Sequence, residues 1–178
     1  MPDPRRTIEV VPYDPRWPDL FAQEATVIGE IAPECICGIH HIGSTAVPGL
    51  AAKPVIDLML EVTDLTWLDQ FDREMEVLGY VVKGEFGIPG RRFYLKGLWE
   101  RTHHVHAFRK ASSGSMRHLA LRDYLRAHPQ EAAAYGALKA KNAAKFRHDN
   151  DGYCAAKHEF VSSLETRSLQ WAGGAERS

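Results

Sequence analysis

The chain reads as an α+β protein, with one mixed β-sheet flanked by helices and a helical C-terminal layer. Three observations predict this. Short apolar or alternating runs, punctuated by Gly and Pro, fill the first two thirds of the sequence. Helix-period stretches stand before and between them. The last third has apolar residues three and four apart over long stretches. The length of 178 residues favours one domain, since domains usually run to about 100–200 residues. That domain is assigned to 1–172, with 173–178 as a frayed tail.

The elements follow in order. Thr7–Val11 is expected to be a short strand or extended arm. Tyr13 to Pro18 is turn chemistry, because two prolines fix φ and break regular pairing. Trp17, Phe21, Ala25, Ile28 and Ile31 then fall on one helical face, and Pro33 ends the helix. Cys35–Ile42 suits a strand, Gly43–Lys53 a loop, and Val55–Val62 a second, strongly apolar strand. Thr63 or Asp64 can cap a helix that carries Leu68, Phe71, Met75 and Leu78, with Gly79 as its stop. Tyr80–Lys83 is a strand and Gly84 to Gly90 a loop. Arg91–Lys96 and His103–Phe108 are two more strands joined by Gly97–Thr102. Ala111–Ser115 reads as a small-residue linker. Helices are expected over Met116–His128, over Gln130–Phe146 and after Gly152.

Composition narrows the function classes. Formal net charge is −1, and no nucleic-acid reader motif occurs. Both facts argue against broad nucleic-acid binding. No run approaches the roughly 20 apolar residues of a membrane helix. Met1–Arg6 is followed by no apolar stretch, so a signal peptide is not expected. A soluble, cytoplasmic protein is expected. Cys35, Cys37 and Cys154 lack the spacing of zinc knuckles or redox motifs and read as structural thiols.

Four features carry candidate chemistry. First, Gly43-Ser44-Thr45 follows a strand and opens a loop. A Gly there lets backbone N–H groups approach an anion, and two hydroxyls add donors. Lys53, at the loop's far end, is placed to close over phosphates. The spacing is not that of a P-loop. Second, Asp57 interrupts an apolar strand. Val55, Asp57, Met59 and Glu61 share one face, and Ile56, Leu58, Leu60 and Val62 form a clean buried face on the other. A carboxylate in such a place is costly unless paired, so it reads as functional or as salt-bridged to a core Arg such as Arg92. Third, His104 and His106 share one strand face, with His103 on the other, and with Asp57 they are candidate metal ligands. Fourth, Arg92 and Lys96 share a strand face while Arg122 and Arg126 are one helical turn apart, giving a candidate phosphate-binding rim. Lys139 and Lys157 sit on the later helices.

These residues together resemble a known family. His41-Ile42-Gly43-Ser44-Thr45-Ala46-Val47-Pro48-Gly49-Leu50, followed by Lys53-Pro54-Val55-Ile56-Asp57-Leu58, resembles the signature of the GrpB family. The likeness continues in Arg91-Arg92-Phe93 with Lys96, in His103-His104-Val105-His106, and in Arg122-Asp123-Tyr124-Leu125-Arg126. Tyr135 with Lys139, and Tyr153 with Lys157, complete it. The resemblance implies a fold like the nucleotidyltransferases, similar to a domain fused behind bacterial dephospho-CoA kinases. It implies a phosphate-holding turn at Gly43 and Ser44, and a metal-holding carboxylate at Asp57. A second Asp of that pattern falls on Val55, and a third carboxylate position falls near His104 or His106. The implied cofactor is a divalent metal: magnesium, manganese or zinc.

The resulting expectation is a pocket for a nucleotide or other phosphorylated small molecule. Asp57, His104 and His106 would be catalytic. Transfer of a nucleotidyl group to a small hydroxyl or amine acceptor would be the reaction. The alternative is a non-catalytic module that senses a nucleotide or coenzyme-A precursor, or supports a partner protein. Val55 separates the two: a second carboxylate, such as Glu61 or Glu85, reaching Asp57 in the fold would favour the enzyme.

Overall fold

A computed structural model describes residues 7–97 and 100–175. The first six residues, positions 98–99 in the predicted Gly97–Thr102 connection, and the last three residues of the predicted tail lie outside the described residues. Five strands form one mixed sheet in the order β1-β2-β5-β4-β3. They are β1 (Ile36–Ile42), β2 (Ile56–Val62), β3 (Tyr80–Val82), β4 (Arg91–Lys96) and β5 (His103–Arg109). The β2–β5 pair is parallel and the other three pairs are antiparallel.

The alternation of β2 sets the two faces. Ile56, Leu58, Leu60 and Val62 are buried with Tyr94, Val105 and Ala107 on one side. Helix α1 (Trp17–Ile31) and the short helices α2 (Leu65–Leu68) and α3 (Asp72–Val77) cover them through Trp17, Ile28, Leu68 and Met75. The opposite face presents Asp57, Met59 and Glu61. There Met59 packs with Ile42 and Phe108 beneath Leu119 of α4 (Ser113–Ala127). Helices α5 (Pro129–Lys145) and α6 (Asn150–Ala175) complete the C-terminal layer.

Local chemistry sets most boundaries. Asp64 caps α2, its carboxylate accepting from the N–H groups of Thr66 (2.6 Å) and Trp67 (3.2 Å). The predicted helix through Leu78 is interrupted by a 3₁₀ turn at Asp69–Phe71. Asp69 is clasped there by the Arg92 guanidinium of β4, at 2.5 and 2.8 Å. The expected Ala111–Ser115 linker is half helix, because Ser112 caps α4 by accepting from the Ser115 N–H at 3.4 Å. Helix α6 runs on to Ala175, through Gly173 and Gly174, where fraying is predicted. Thr7–Val11 is an arm rather than a strand, bridged to Ala52 at Val11. No described helix is long and apolar enough to cross a membrane.

Candidate functional site

The end of β1 builds a rigid turn. Gly43 has φ 71° and ψ −170°, a conformation that side chains disfavour. Its Cα lies against Asp57, so that a Cβ there would sit 2.7 Å from Asp57 Oδ2. Ser44–Ala46 then forms a 3₁₀ turn. The His41 ring stacks on Phe21 at 4.8 Å, and its Nε2 lies 2.9 Å from Thr45 Oγ1. Burial pushes His41 down to about 4, against the pull of Asp57 and with the push of Arg126 and Arg122. A neutral imidazole therefore holds the Thr45 hydroxyl at neutral pH.

The strands supply the second part. Register places Asp57 beside His104 and Met59 beside His106. His104 Nδ1 lies 3.2 Å and His106 Nε2 lies 3.6 Å from Asp57 Oδ1. The three ligand atoms fall within 4.8 Å of one another. Burial pushes the Asp57 carboxyl up, but hydrogen bonds from His104 and His106 and their charge outweigh it and hold it well below the carboxylate range. Burial likewise lowers His106, against its hydrogen bond to Asp57. Arg91 Nη1 stands 3.5 Å from His106 Nδ1 on the far side of that ring.

The helical layer supplies the third part. A cleft of about 250 Å³ is lined by the Gly43–Thr45 turn, Lys53, Val55, Asp57, His104 and His106, and by Tyr135, Lys139, Tyr153 and Lys157. Lys139 is 3% exposed. Its Nζ has no hydrogen-bond partner among the described residues and stands 4.5 Å from the Tyr135 ring centroid. Burial, Lys157 and Lys53 push Lys139 down to about 7, against Asp57. The Tyr153 ring carries Lys53 Nζ at 5.0 Å and Lys157 Nζ at 4.9 Å. Burial pushes the Tyr135 hydroxyl up to about 12, against the Ser44 hydroxyl bonded to it.

Of the residues singled out from sequence, Gly43, Ser44, Thr45, Lys53, Asp57, His104 and His106 meet in this cleft. Arg92, Lys96, Arg122 and Arg126 do not line it. Arg92 and Lys96 do share a face, but it is the face beneath α1 to α3. Arg92 pairs there with Asp69, and Lys96 with Glu24 at 2.7 Å. Asp57 is accordingly not salt-bridged to Arg92. Arg122 and Arg126 of α4 reach the turn through its carbonyls, donating to His41 O at 3.2 Å and to Ala46 O at 2.8 Å. They brace the turn rather than face the cleft.

Among the described residues, no second carboxylate lines the cleft with Asp57. Glu61 accepts from the Ser115 hydroxyl and the Ala111 N–H and pairs with His40 at 3.1 Å. Glu85 accepts from the Gly90 N–H at 2.7 Å. The cleft residues that sequence reasoning left without a role are Tyr135, Lys139, Tyr153 and Lys157. Their signal was present: the same Tyr-x-x-x-Lys spacing on two helices puts ring and amine on one face each time.

The family model described as "GrpB protein" matches residues 7–167. The chain belongs to the GrpB family. It is 40% identical to YqkA of Bacillus subtilis over 96% of this chain and 50% of that protein. It is 28% identical to a dephospho-CoA kinase of Mycolicibacterium paratuberculosis over 94% of this chain and 47% of that protein. The GrpB chain thus spans about half the length of each. A crystal structure of the conserved protein GrpB from Enterococcus faecalis is similar at 39% identity, with a TM-score of 0.89, covering 92% of this chain and 99% of that one. The Cid1 poly(U) polymerase, in a crystal structure with MgGTP, is similar in fold: 18% identity, TM-score 0.52, over 83% of this chain and 50% of that one. The GrpB fold is thus nucleotidyltransferase-like.

Proposed function

We propose that the cleft binds the phosphate chain of a nucleotide or related phosphorylated small molecule, alongside one divalent metal ion. The observation that carries this reading is Lys139. A buried amine with no hydrogen-bond partner is costly, and two more lysines within the same cleft raise the cost. A polyanion offsets all three charges at once. The Gly43–Thr45 turn lines the same cleft, and a glycine-led turn of this kind suits the same ligand.

Asp57, His104 and His106 are the residues that would hold the metal. Two imidazole nitrogens and one carboxylate oxygen fit zinc or manganese better than magnesium, which favours all-oxygen octahedral sites. A metal bound there would polarise the phosphate under attack and steady its leaving group. The reaction that this arrangement serves is nucleotidyl transfer. An acceptor oxygen or nitrogen bonds to the α-phosphorus, the bond to pyrophosphate breaks, and the acceptor proton passes to the departing pyrophosphate. Lys139 and Lys157 would hold the leaving pyrophosphate, and Gly43 and Ser44 would fix its position.

A binding-only role is the second reading, and one observation favours it. Asp57 is the sole carboxylate lining the cleft among the described residues, with Val55 where a partner would stand. A binding module of this kind would sense a nucleotide or coenzyme-A precursor for a partner protein, an idea that the likeness to a dephospho-CoA kinase supports.

A thermal-shift screen of nucleotides and coenzyme-A precursors, each with magnesium, manganese or zinc, tests the shared reading. A raised melting temperature in wild type that is lost in Lys139→Ala and Asp57→Ala is expected. No shift with any of these, or equal shifts in the variants, overturns it. Pyrophosphate release from the best ligand then separates transfer from binding.

A further inference from the structure

Arg91, Arg92 and Phe93 do not line the cleft, yet Phe93 stands next to its histidines. On β4, Phe93 lies beside His106 in register. Its ring centroid is 4.9 Å from that of His106 and 5.5 Å from that of His104. Phe86, in the loop between β3 and β4, stacks on Phe93 at 5.5 Å with an interplanar angle of 19°. The two phenylalanines continue the row across the sheet: turn after β1, Asp57 on β2, histidines on β5, Phe93 on β4, then Phe86.

Phe86 is unusual in two ways. It is 61% exposed, which gives a large apolar ring little burial in return for its fixed place. Its backbone also sits at φ 45°, a region that bulky residues rarely adopt. Such strain persists only where the surroundings impose it, and here they do. Arg91, itself buried, donates from Nη2 to Phe86 O at 2.8 Å and from Nε to Glu85 O at 3.2 Å. Glu85 closes the loop on the Gly90 N–H. The same guanidinium stands 4.5 Å from the Phe93 ring centroid. One arginine thus fixes the loop, the ring behind Phe86, and the side of His106.

We propose that Phe86, backed by Phe93, is a stacking platform for the planar base of the nucleotide whose phosphates lie among the lysines. This rests on the phosphate-binding reading and adds the ligand's second half. The charged pole lies at Lys53, Lys139 and Lys157, and the aromatic pole lies across the Asp57–His104–His106 group from it. Phosphates suit the first and an unsaturated ring suits the second. Aromatic stacking needs no hydrogen-bond readout, so the platform discriminates nucleotide from bare polyphosphate more than one base from another. Arg91 is the positioning residue, since it acts only through the loop.

The test compares ATP with inorganic tripolyphosphate, each with manganese, by calorimetry on the full chain. Wild type is expected to bind ATP more tightly than tripolyphosphate. Phe86→Ala should weaken ATP by about 5- to 150-fold and leave tripolyphosphate unchanged, the range set by stacking of one base on an aromatic ring. Phe86→Trp should keep ATP affinity. Phe86→Gly, which relieves the positive φ, should fold at least as stably as wild type and still lose ATP. Equal affinity of wild type for the two ligands, or equal weakening of both by Phe86→Ala, overturns the platform while leaving the phosphate site standing. Failure of wild type to bind either ligand overturns both.

Discussion

The backbone of Gly43 rests directly on the carboxylate of Asp57. A Cβ added at Gly43 would lie 2.7 Å from Asp57 Oδ2 and 3.2 Å from its Cβ. The turn and the Asp–His group are therefore one mechanical unit. Gly43→Ala must accept φ 71° and push Asp57 away from His104. Urea unfolding is expected to show a loss of about 1–3 kcal/mol. Manganese affinity should fall with it, read by calorimetry. A variant as stable as wild type would mean that Asp57 moves aside freely.

Lys139 places a costly buried amine in the cleft. Its folded value of about 7 lies below its ordinary 10.5. Between those values the unfolded chain binds more protons, so this residue makes stability rise with pH from about 7 to 10.5. Below pH 7 the penalty is complete and constant. Lys139→Met should raise the melting temperature at pH 7 without ligand and flatten the rise toward pH 9. The same variant should lose stabilisation by tripolyphosphate.

Ligand binding should also move a proton. At pH 8 the Lys139 amine is mostly neutral, and a polyphosphate favours its charged form. Binding of tripolyphosphate should take up close to one proton. Titrations in buffers of different ionisation enthalpy would show it as a buffer-dependent heat. That dependence should shrink at pH 6, where the amine is already mostly charged before binding.

Acid should weaken the fold through buried histidines. Burial pushes His41 down to about 4 and, with His106 and Arg117 nearby, pushes His118 down to about 3. The ordinary value is 6.5, so the unfolded chain takes up protons first. Stability contributed by neutral His41 is present above pH 6.5 and is lost as pH falls toward 4. That of His118 is lost toward 3. Each group contributes a slope of up to about 1.4 kcal/mol per pH unit in its window. His118 Nε2 has no hydrogen-bond partner among the described residues, so His118→Met should make the loss of stability between pH 6.5 and 4, read by urea unfolding, less steep.

Arg92 and Lys157 should part company. Arg92→Ala removes the clasp on Asp69 and is expected to cost about 0.5–1.5 kcal/mol of stability. Tripolyphosphate affinity should stay within about twofold. Lys157→Ala should weaken that affinity about tenfold or more, with little change in stability. The reverse pattern would return the phosphate rim to β4.

The sequence made the sheet legible because β2 alternates so cleanly. Ile56, Leu58, Leu60 and Val62 had to be buried, which left Asp57 facing the other way beside same-face His104 and His106. Alternation also tied Arg92 to Lys96. It could not say which of the two layers each face would meet, and that pair lies under α1 to α3. The break at Asp69–Phe71 was hidden because apolar spacing runs straight through a single tight turn. Lys139 and Lys157 carried a signal in their shared Tyr-x-x-x-Lys spacing, but that spacing does not say that α5 and α6 pack their Tyr–Lys faces over the turn.

Arg122 and Arg126 tie α4 to carbonyls more than 75 positions earlier in the chain, and the cleft is drawn from residues just as far apart. This has a consequence for biosynthesis. Lys157 follows Asp57 by 100 residues, so at ribosomal speed the gap between them is roughly 5–20 s. During that interval Asp57 and the histidines leave the ribosome and can pair as sheet while the helices that carry Tyr135, Lys139, Tyr153 and Lys157 are still being made. A growing chain therefore has its Asp–His cluster before it has the two Tyr–Lys pairs that wall the cleft, so the last part of the cleft to form is the part that the C-terminal helices bring.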